Sequence, residues 1–341
     1  MNVLSYIDFK GLKMNRFLKI FLLGVSVVIL IFGCTKKEEQ TVKYQPDNQK
    51  RLPIIDMHMH AKKIWLTPDG KPLPRPSYPE GYVHEPSAAT SDEAILQLTL
   101  AEMDKYNIVK GFLSDPLGDV YRWVAAAPNR FIPSPKLDGT PGSPTIEFLR
   151  SEYLAGRIKA IGEIDSQDEG ISPDDPRLDP YFTLAEELDI PVLIHTLGLG
   201  AWSPTFRSSL GRPLLLEKVL VKHPKLRLWV ENAGYPFLDE MIALMYMYPQ
   251  VYADLSTITW IIPREAFHDY FWGLIKANLG KRLMFGSDQM VWPETIGMAI
   301  EAIESVDFLT EEQKRDIFYN NAVRFLRLEE NNKKRLAGLK E

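Results

Sequence analysis

Two imidazoles two residues apart close an apolar run of this 341-residue chain, where Leu52-Pro53-Ile54-Ile55 leads into Asp56-Met57-His58-Met59-His60. Strand side chains alternate between two faces, so Asp56, His58 and His60 are expected on one side, with both histidines able to grip one cation. Three later apolar runs also end in groups with ligand chemistry. Glu163 lies in Ala160-Ile161-Gly162-Glu163-Ile164, His195 closes Val192-Leu193-Ile194-His195, and Asp288 closes Met284-Phe285-Gly286-Ser287-Asp288. Three imidazoles with carboxylates suit Zn²⁺ or another borderline divalent ion better than Mg²⁺ or Ca²⁺, which prefer shells of oxygen.

Such an ion lowers the pKa of bound water towards ~7 and polarises the oxygen of the carbon under attack. With Asp288 taking the water proton and returning it to the leaving group, the set suits hydrolysis of an amide, ester or lactone in a small molecule. It equally suits decarboxylation of an unsaturated or aromatic acid, since a metal that holds a carbonyl also holds a carboxylate, or ligand binding without turnover. Long loops offer substrate contacts in His84, Trp202 and Arg207, beside Trp65, Arg212, Trp260 and Trp292. Arginine fits a carboxylate and tryptophan an aromatic or sugar-like face.

These residues need a frame that brings distant segments to one point. From Arg51 onward the sequence alternates strand and helix patterns. After the first strand, Thr90-Ser91-Asp92-Glu93 resembles a capping box opening a helix to about residue 106. Strands follow at 108–114, 131–133, 158–164, 191–195, 226–231, 251–255 and 282–285, with helices at 120–127, 145–155, 178–188, 213–222, 237–246 and 264–277. Eight strands and their helices predict one α/β domain over 52–328, a (β/α)₈ TIM barrel, whose strand ends converge on one rim. A doubly wound sheet fits less well, because two histidines stand where its Gly-rich phosphate turn belongs. A further helix is expected from Thr310-Glu311-Glu312-Gln313 to about residue 328, followed by a charged tail over 329–341.

The segment before the domain has a different character. Lys10, Lys13, Arg16 and Lys19 precede the short apolar stretch 20–32, and Leu30-Ile31-Phe32-Gly33-Cys34 resembles a bacterial lipobox. Residues 1–34 therefore read as a lipoprotein signal peptide with Cys34 as the lipidated residue, and 35–51 as a polar tether. That arrangement predicts a domain lipid-anchored in the bacterial cell envelope, on the periplasmic or outer-membrane side. Cys34 is the only cysteine, so no disulfide forms within one chain. Removing residues 1–34 takes the formal net charge from −5 to −8. With no Lys/Arg block in the body, nucleic acid is excluded as a partner, and these residues carry no signal for an oligomeric state.

Together the motifs resemble the amidohydrolase superfamily, and within it the amidohydrolase-2 family of metal-dependent hydrolases and decarboxylases. The resemblance runs over about 52–328: the Asp56-x-His58-x-His60 motif, His195, His223-Pro224-Lys225-Leu226 leading into Glu231-Asn232-Ala233-Gly234, Gly286-Ser287-Asp288, and Asn320-Asn321-Ala322. It implies metal ligation by His58, His60 and His195, with Asp288 as ligand and proton acceptor. Asn232 stands where the family usually has a histidine. The resemblance thus implies one ion rather than two, with Asn232 left to hydrogen-bond substrate. Glu163 is similar to a glutamate that bridges two metals in TatD-type hydrolases, and is taken here as a candidate ligand. Glu231, one residue from Asn232, is expected to face away unless a bulge turns it.

Overall fold

The computed structural model describes residues 51–79, 81–83, 87, 89–200 and 203–328. The segment expected to be a signal peptide with Cys34, the expected tether up to residue 50, His84, Trp202 and the tail from 329 lie outside the described residues.

Eight parallel strands form the centre: β1 (Ile54–His60), β4 (Ile108–Asp115), β5 (Phe131–Pro135), β6 (Ile161–Ile164), β7 (Val192–Ile194), β8 (Leu228–Val230), β9 (Val251–Asp254) and β10 (Leu283–Met284). A short antiparallel hairpin, β2 (Pro76–Ser77) and β3 (Gly81–Tyr82), lies in the loop after β1. The parallel strands pair as two sheets, β1-β4-β5 and β10-β9-β8-β7-β6. Backbone bonds cross from one sheet to the other on both sides. Met57 N donates to Phe285 O at 2.8 Å, Leu137 N to Glu163 O at 3.0 Å, and Asp165 N to Leu137 O at 2.8 Å.

Packing follows the strand period. One set of side chains, including Ile108, Leu113, Ile161, Val192, Leu228 and Val251, joins the helices in the larger apolar cluster. The opposite set gathers Ile55 and Met57 with Phe112, Ile132, Ala160, Leu193, Trp229 and Met284, so strands of both sheets meet in one inner layer. Ala322, Phe325 and Leu326 of the last helix close that layer at one end.

All eight expected strands are present, several of them shorter than the sequence pattern suggests. The helix over Asp92–Lys105 is capped by Ser91, whose hydroxyl accepts from Ala94 N, and the one over Ile146–Leu154 by Thr145. Thr310 and Gln313 form the expected capping box. The last helix is interrupted, however, by a π turn over Asp316–Asn320. The carbonyl of Ile317 accepts from Phe285 N at 2.9 Å, tying this turn to the end of β10. A helix over Thr295–Glu304 and a short one over Ile258–Ile261 have no counterpart in the predicted set.

Candidate metal centre

The carboxyl ends of the strands carry a buried polar cluster. β1 reaches it through a register shift between Asp56 and Met59, so regular alternation fails there. Ile55 and Met57 pack in the inner layer, while His58 and His60 both enter the cluster. Asp56 departs from the expected common face. Its carboxylate accepts from the backbone N–H of His58 at 3.1 Å and of Ser287 at 2.9 Å, and burial lifts its pKa to about 7.

Outer partners orient both imidazoles. Ser256 donates its hydroxyl to Asp254 Oδ1 at 2.5 Å and accepts from His58 Nδ1 at 3.1 Å, leaving His58 Nε2 as an acceptor. His60 Nδ1 donates to Asp115 Oδ2 at 3.3 Å, and Lys62 holds the other oxygen of Asp115 at 3.0 Å. The two Nε2 atoms then face each other at 3.2 Å. Asp288 Oδ1 lies 3.1 Å from His60 Nε2 and 3.9 Å from His58 Nε2, while Thr257 donates to its other oxygen. Glu163 Oε2 is 3.7 Å from His60 Nε2, and Glu231 Oε1 is 3.5 Å from His58 Nε2. Potential ligand atoms of two imidazoles and three carboxylates therefore converge on one point. Asp288 Oδ1, Glu163 Oε2 and Glu231 Oε2 are buried without a hydrogen-bond partner among the described residues. Such orphaned atoms around two aligned imidazoles fit a divalent cation.

The electrostatics describe the same need. Burial and Lys62 push the His60 pKa down, but Asp115 and Asp288 outweigh them and raise it to about 9. Against burial, His58 and His60 pull Asp288 down to about 2. Burial and the charges of Glu163 and Asp288 drive Glu231 well above the carboxylate range. Burial also opposes ionisation of Glu163, yet Lys136 and the histidines hold it well below that range. Positive charge is thus in demand at this point, and a bound proton on His60 meets part of it.

Two glycines make the geometry possible. Gly162 has φ +116°, and a Cβ there would lie 2.2 Å from Leu193 O. At Gly286 a Cβ would lie 2.9 Å from that of His58, so only glycine lets the chain after β10 pass the imidazole.

The strand-end rule brings His58, His60, Glu163 and Asp288 together, with His195 at the next corner of the cleft beside Glu163 and Asp165. Glu231 enters because β8 stops at Val230 and a turn follows, with Asn232 at φ 54° and Ala233 at φ 46°. Asn232 is buried behind the cluster. Its oxygen accepts from Thr257 N at 3.0 Å and lies 3.0 Å from Ser256 Oγ, and its amide donates to Glu231 at 3.1 Å. Arg207 is exposed and donates to the carbonyls of Pro204 and Phe206, turned back on its own loop. Trp65 lines the cleft, whereas Trp260 and Trp292 are buried and donate to Ser287 O and Leu73 O.

Asp115, Lys136, Asp165, Glu231 and Asp254 also belong to the cluster or its support. Asp115, Asp165 and Asp254 close or follow apolar runs, the signal that singles out His195, and a wider use of that signal finds them. The cleft above has a volume of about 220 Å³. Trp65, Tyr78, Leu199, Phe206, Ile261 and Met290 form its apolar side, and Lys62, Lys136 and Asp168 lie among its polar groups. Burial and the nearby Asp165 raise Asp168 to about 6.

The sequence profile of the amidohydrolase family matches residues 55–328, nearly the whole described domain. The chain belongs to the amidohydrolase family. A curated relative, protein fluG of Emericella nidulans, is 24% identical over 155 residues, a match covering 41% of this chain and 18% of that protein. Among solved structures, this amidohydrolase is similar to a TIM-barrel protein of Bordetella bronchiseptica at 20% identity and TM-score 0.61, over 81% of this chain and 98% of that one. A probable 2-pyrone-4,6-dicarboxylic acid hydrolase of Acinetobacter baumannii matches at 15% identity and TM-score 0.55, over 81% and 99% of the chains. A 5-carboxyvanillate decarboxylase of Sphingomonas paucimobilis matches at 17% identity and TM-score 0.52, also over 81% and 99%. At these identities the likeness is one of fold.

Proposed function

We propose that the eight parallel strands form one closed (β/α)₈ barrel, and that the protein is a metal-dependent hydrolase cleaving an amide, ester or lactone bond in a small molecule. One observation carries this function: His58 Nε2, His60 Nε2 and Asp288 Oδ1 converge in a buried space, Asp288 Oδ1 having no hydrogen-bond partner among the described residues. These three, with Glu163 or Glu231, would hold the ion, and the mixed nitrogen and oxygen set favours a single Zn²⁺. Such an ion supplies Lewis-acid polarisation of the scissile carbonyl and acidifies water.

The protein's own groups supply the rest. Asp288 stays ionised at neutral pH, with Oδ1 directed into the site and Oδ2 anchored by Thr257, so it takes the proton of the attacking water and delivers it to the leaving group. Asp115 and Ser256 keep the imidazoles in their ligating tautomers. The cleft of about 220 Å³ lies below the usual range for drug-sized ligands, which favours a small substrate.

Lys62 and Lys136 beside an apolar wall also favour a second reaction, decarboxylation of an unsaturated or aromatic acid, by anchoring its carboxylate. A screen of lactones, esters, dipeptides and aromatic acids against the zinc-loaded protein separates the two. Water-dependent cleavage supports the hydrolase, carbon dioxide release the decarboxylase, and silence across the panel counts against both. We further propose that Cys34 is acylated and tethers the domain to an envelope membrane. Cys34→Ala then releases the protein or leaves its leader uncleaved, whereas equal cytoplasmic solubility of both forms contradicts the anchor.

A further inference from the structure

Glu163 belongs to two groups of candidate ligands. It joins His58 and His60 at the point described above, and it joins Asp165 and His195 at a second, where one ligand atom from each residue lies within 4.8 Å of the others. The second group has much of what an ion needs. Glu163 Oε2 and Asp165 Oδ1 are buried without a hydrogen-bond partner among the described residues. Gln167 donates its amide N–H to Leu197 O at 2.7 Å and Arg207 O at 3.1 Å, which leaves its oxygen to accept from His195 Nδ1 at 2.9 Å. In the neutral ring the remaining nitrogen of His195 is an acceptor able to ligate, and Nδ1 itself lies 3.9 Å from Asp165 Oδ1.

What distinguishes this corner is a cation already in place. Lys136 Nζ lies 2.5 Å from Asp165 Oδ2 and 3.6 Å from Glu163 Oε2, touching both carboxylates of the group. Its backbone is fixed just past β5, where Lys136 N donates to Asp115 O at 3.1 Å. A divalent ion at the second point would share those carboxylates with an ammonium and be repelled by it.

We propose that Lys136 is the built-in cation of the second corner, limiting the cluster to one divalent ion, and that neutralising it opens a second metal site made of Glu163, Asp165 and His195. This rests on the metal-dependent reading above. Lys136 is a positioning residue here: it sets how many ions the ligands accept.

Metal-stripped full-length protein titrated with Zn²⁺, then gel-filtered and analysed for bound metal, provides the test. Wild type and Lys136→Arg are expected to retain one equivalent, and Lys136→Gln and Lys136→Met two. Loaded with Mn²⁺, the neutral variants should give the magnetic signature of an exchange-coupled pair, because Glu163 is common to both points, while wild type gives an isolated ion. One equivalent in folded Lys136→Gln and Lys136→Met overturns the proposal but leaves the metal reading standing. No retained metal in wild type and Lys136→Arg overturns both. If a neutral variant unfolds when stripped, refolding with Zn²⁺ should restore it at two equivalents, and restoration at one equivalent, or none, counts against the proposal.

Discussion

The two corners of the cleft are built from the same ligand types and differ in the source of their positive charge. Around His58, His60 and Asp288 ligand atoms converge with no fixed ammonium pairing with these three residues among the described residues, and protons on His60 and Glu231 stand in for an ion. Around Glu163, Asp165 and His195 the ammonium of Lys136 reaches both carboxylates from the neighbouring strand. Donor identity alone therefore does not count metal sites. The charges that surround the donors decide which group stays in need of an ion.

The largest effect should come from breaking the first corner. His58→Ala or His60→Ala removes an imidazole that fixes the ion, so retained metal and activity are expected to disappear together, as read by elemental analysis and turnover. Retention of a full equivalent in either variant contradicts its assignment as a ligand. Asp288→Asn keeps the shape of the side chain but removes its basicity. Turnover is expected to drop by about 10²-fold or more while much of the metal remains. Near-wild-type rates in that variant would dismiss Asp288 as proton acceptor and turn attention to Glu163.

The support of the first corner is a weaker lever. Asp115→Asn loses the charge that orients His60 and pairs with Lys62, and is expected to weaken metal affinity by about 10–100-fold in a competition titration. Unchanged affinity would mean that the imidazole is held by packing alone.

pH sharpens the contrast further. In the metal-free protein the His60 pKa of about 9 lies above the ordinary 6.5, so its contribution is fully present below about pH 6.5 and is lost as pH rises through 9. Asp56, raised from 3.8 to about 7, acts in the same direction over a lower window, since the folded state binds its proton more tightly. Metal-free protein should accordingly lose stability from pH 6 to pH 9, by about 3 kcal/mol from His60 at most. Zinc binding displaces the His60 proton, so apparent affinity should rise over the same range. A flat stability profile in denaturant melts would contradict the paired state of His60. The smallest effect is expected at Arg207, exposed and bound to its own loop: Arg207→Ala should alter stability by no more than about 0.5 kcal/mol and leave metal content unchanged.

Much of this architecture is legible in the sequence because it depends on period and on strand ends. Apolar runs alternating with helical patterns mark all eight strands, and polar residues at the ends of such runs mark His58, His60, Glu163, His195 and Asp288. Less legible are features set by local backbone departures. The shift within β1 sends Asp56 to the backbone of Ser287, and the left-handed turn after β8 brings Glu231 into the cluster while Asn232 braces it from behind. Neither follows from residue type, since a regular strand places these side chains on other faces. Lys136 is hidden for another reason. A lysine after an apolar run reads as surface, and only the arrival of Asp165 and Glu163 from the next strand turns it into a cleft cation. The π turn in the last helix likewise answers to Phe285, a partner distant in sequence.

The most direct test of the central claim is to locate the ion. Anomalous diffraction at the zinc edge from crystals of the zinc-loaded protein should give one peak per chain, within bonding distance of His58 Nε2, His60 Nε2 and Asp288 Oδ1. A peak centred instead between Asp165 and His195, or none at the strand ends, would contradict the account.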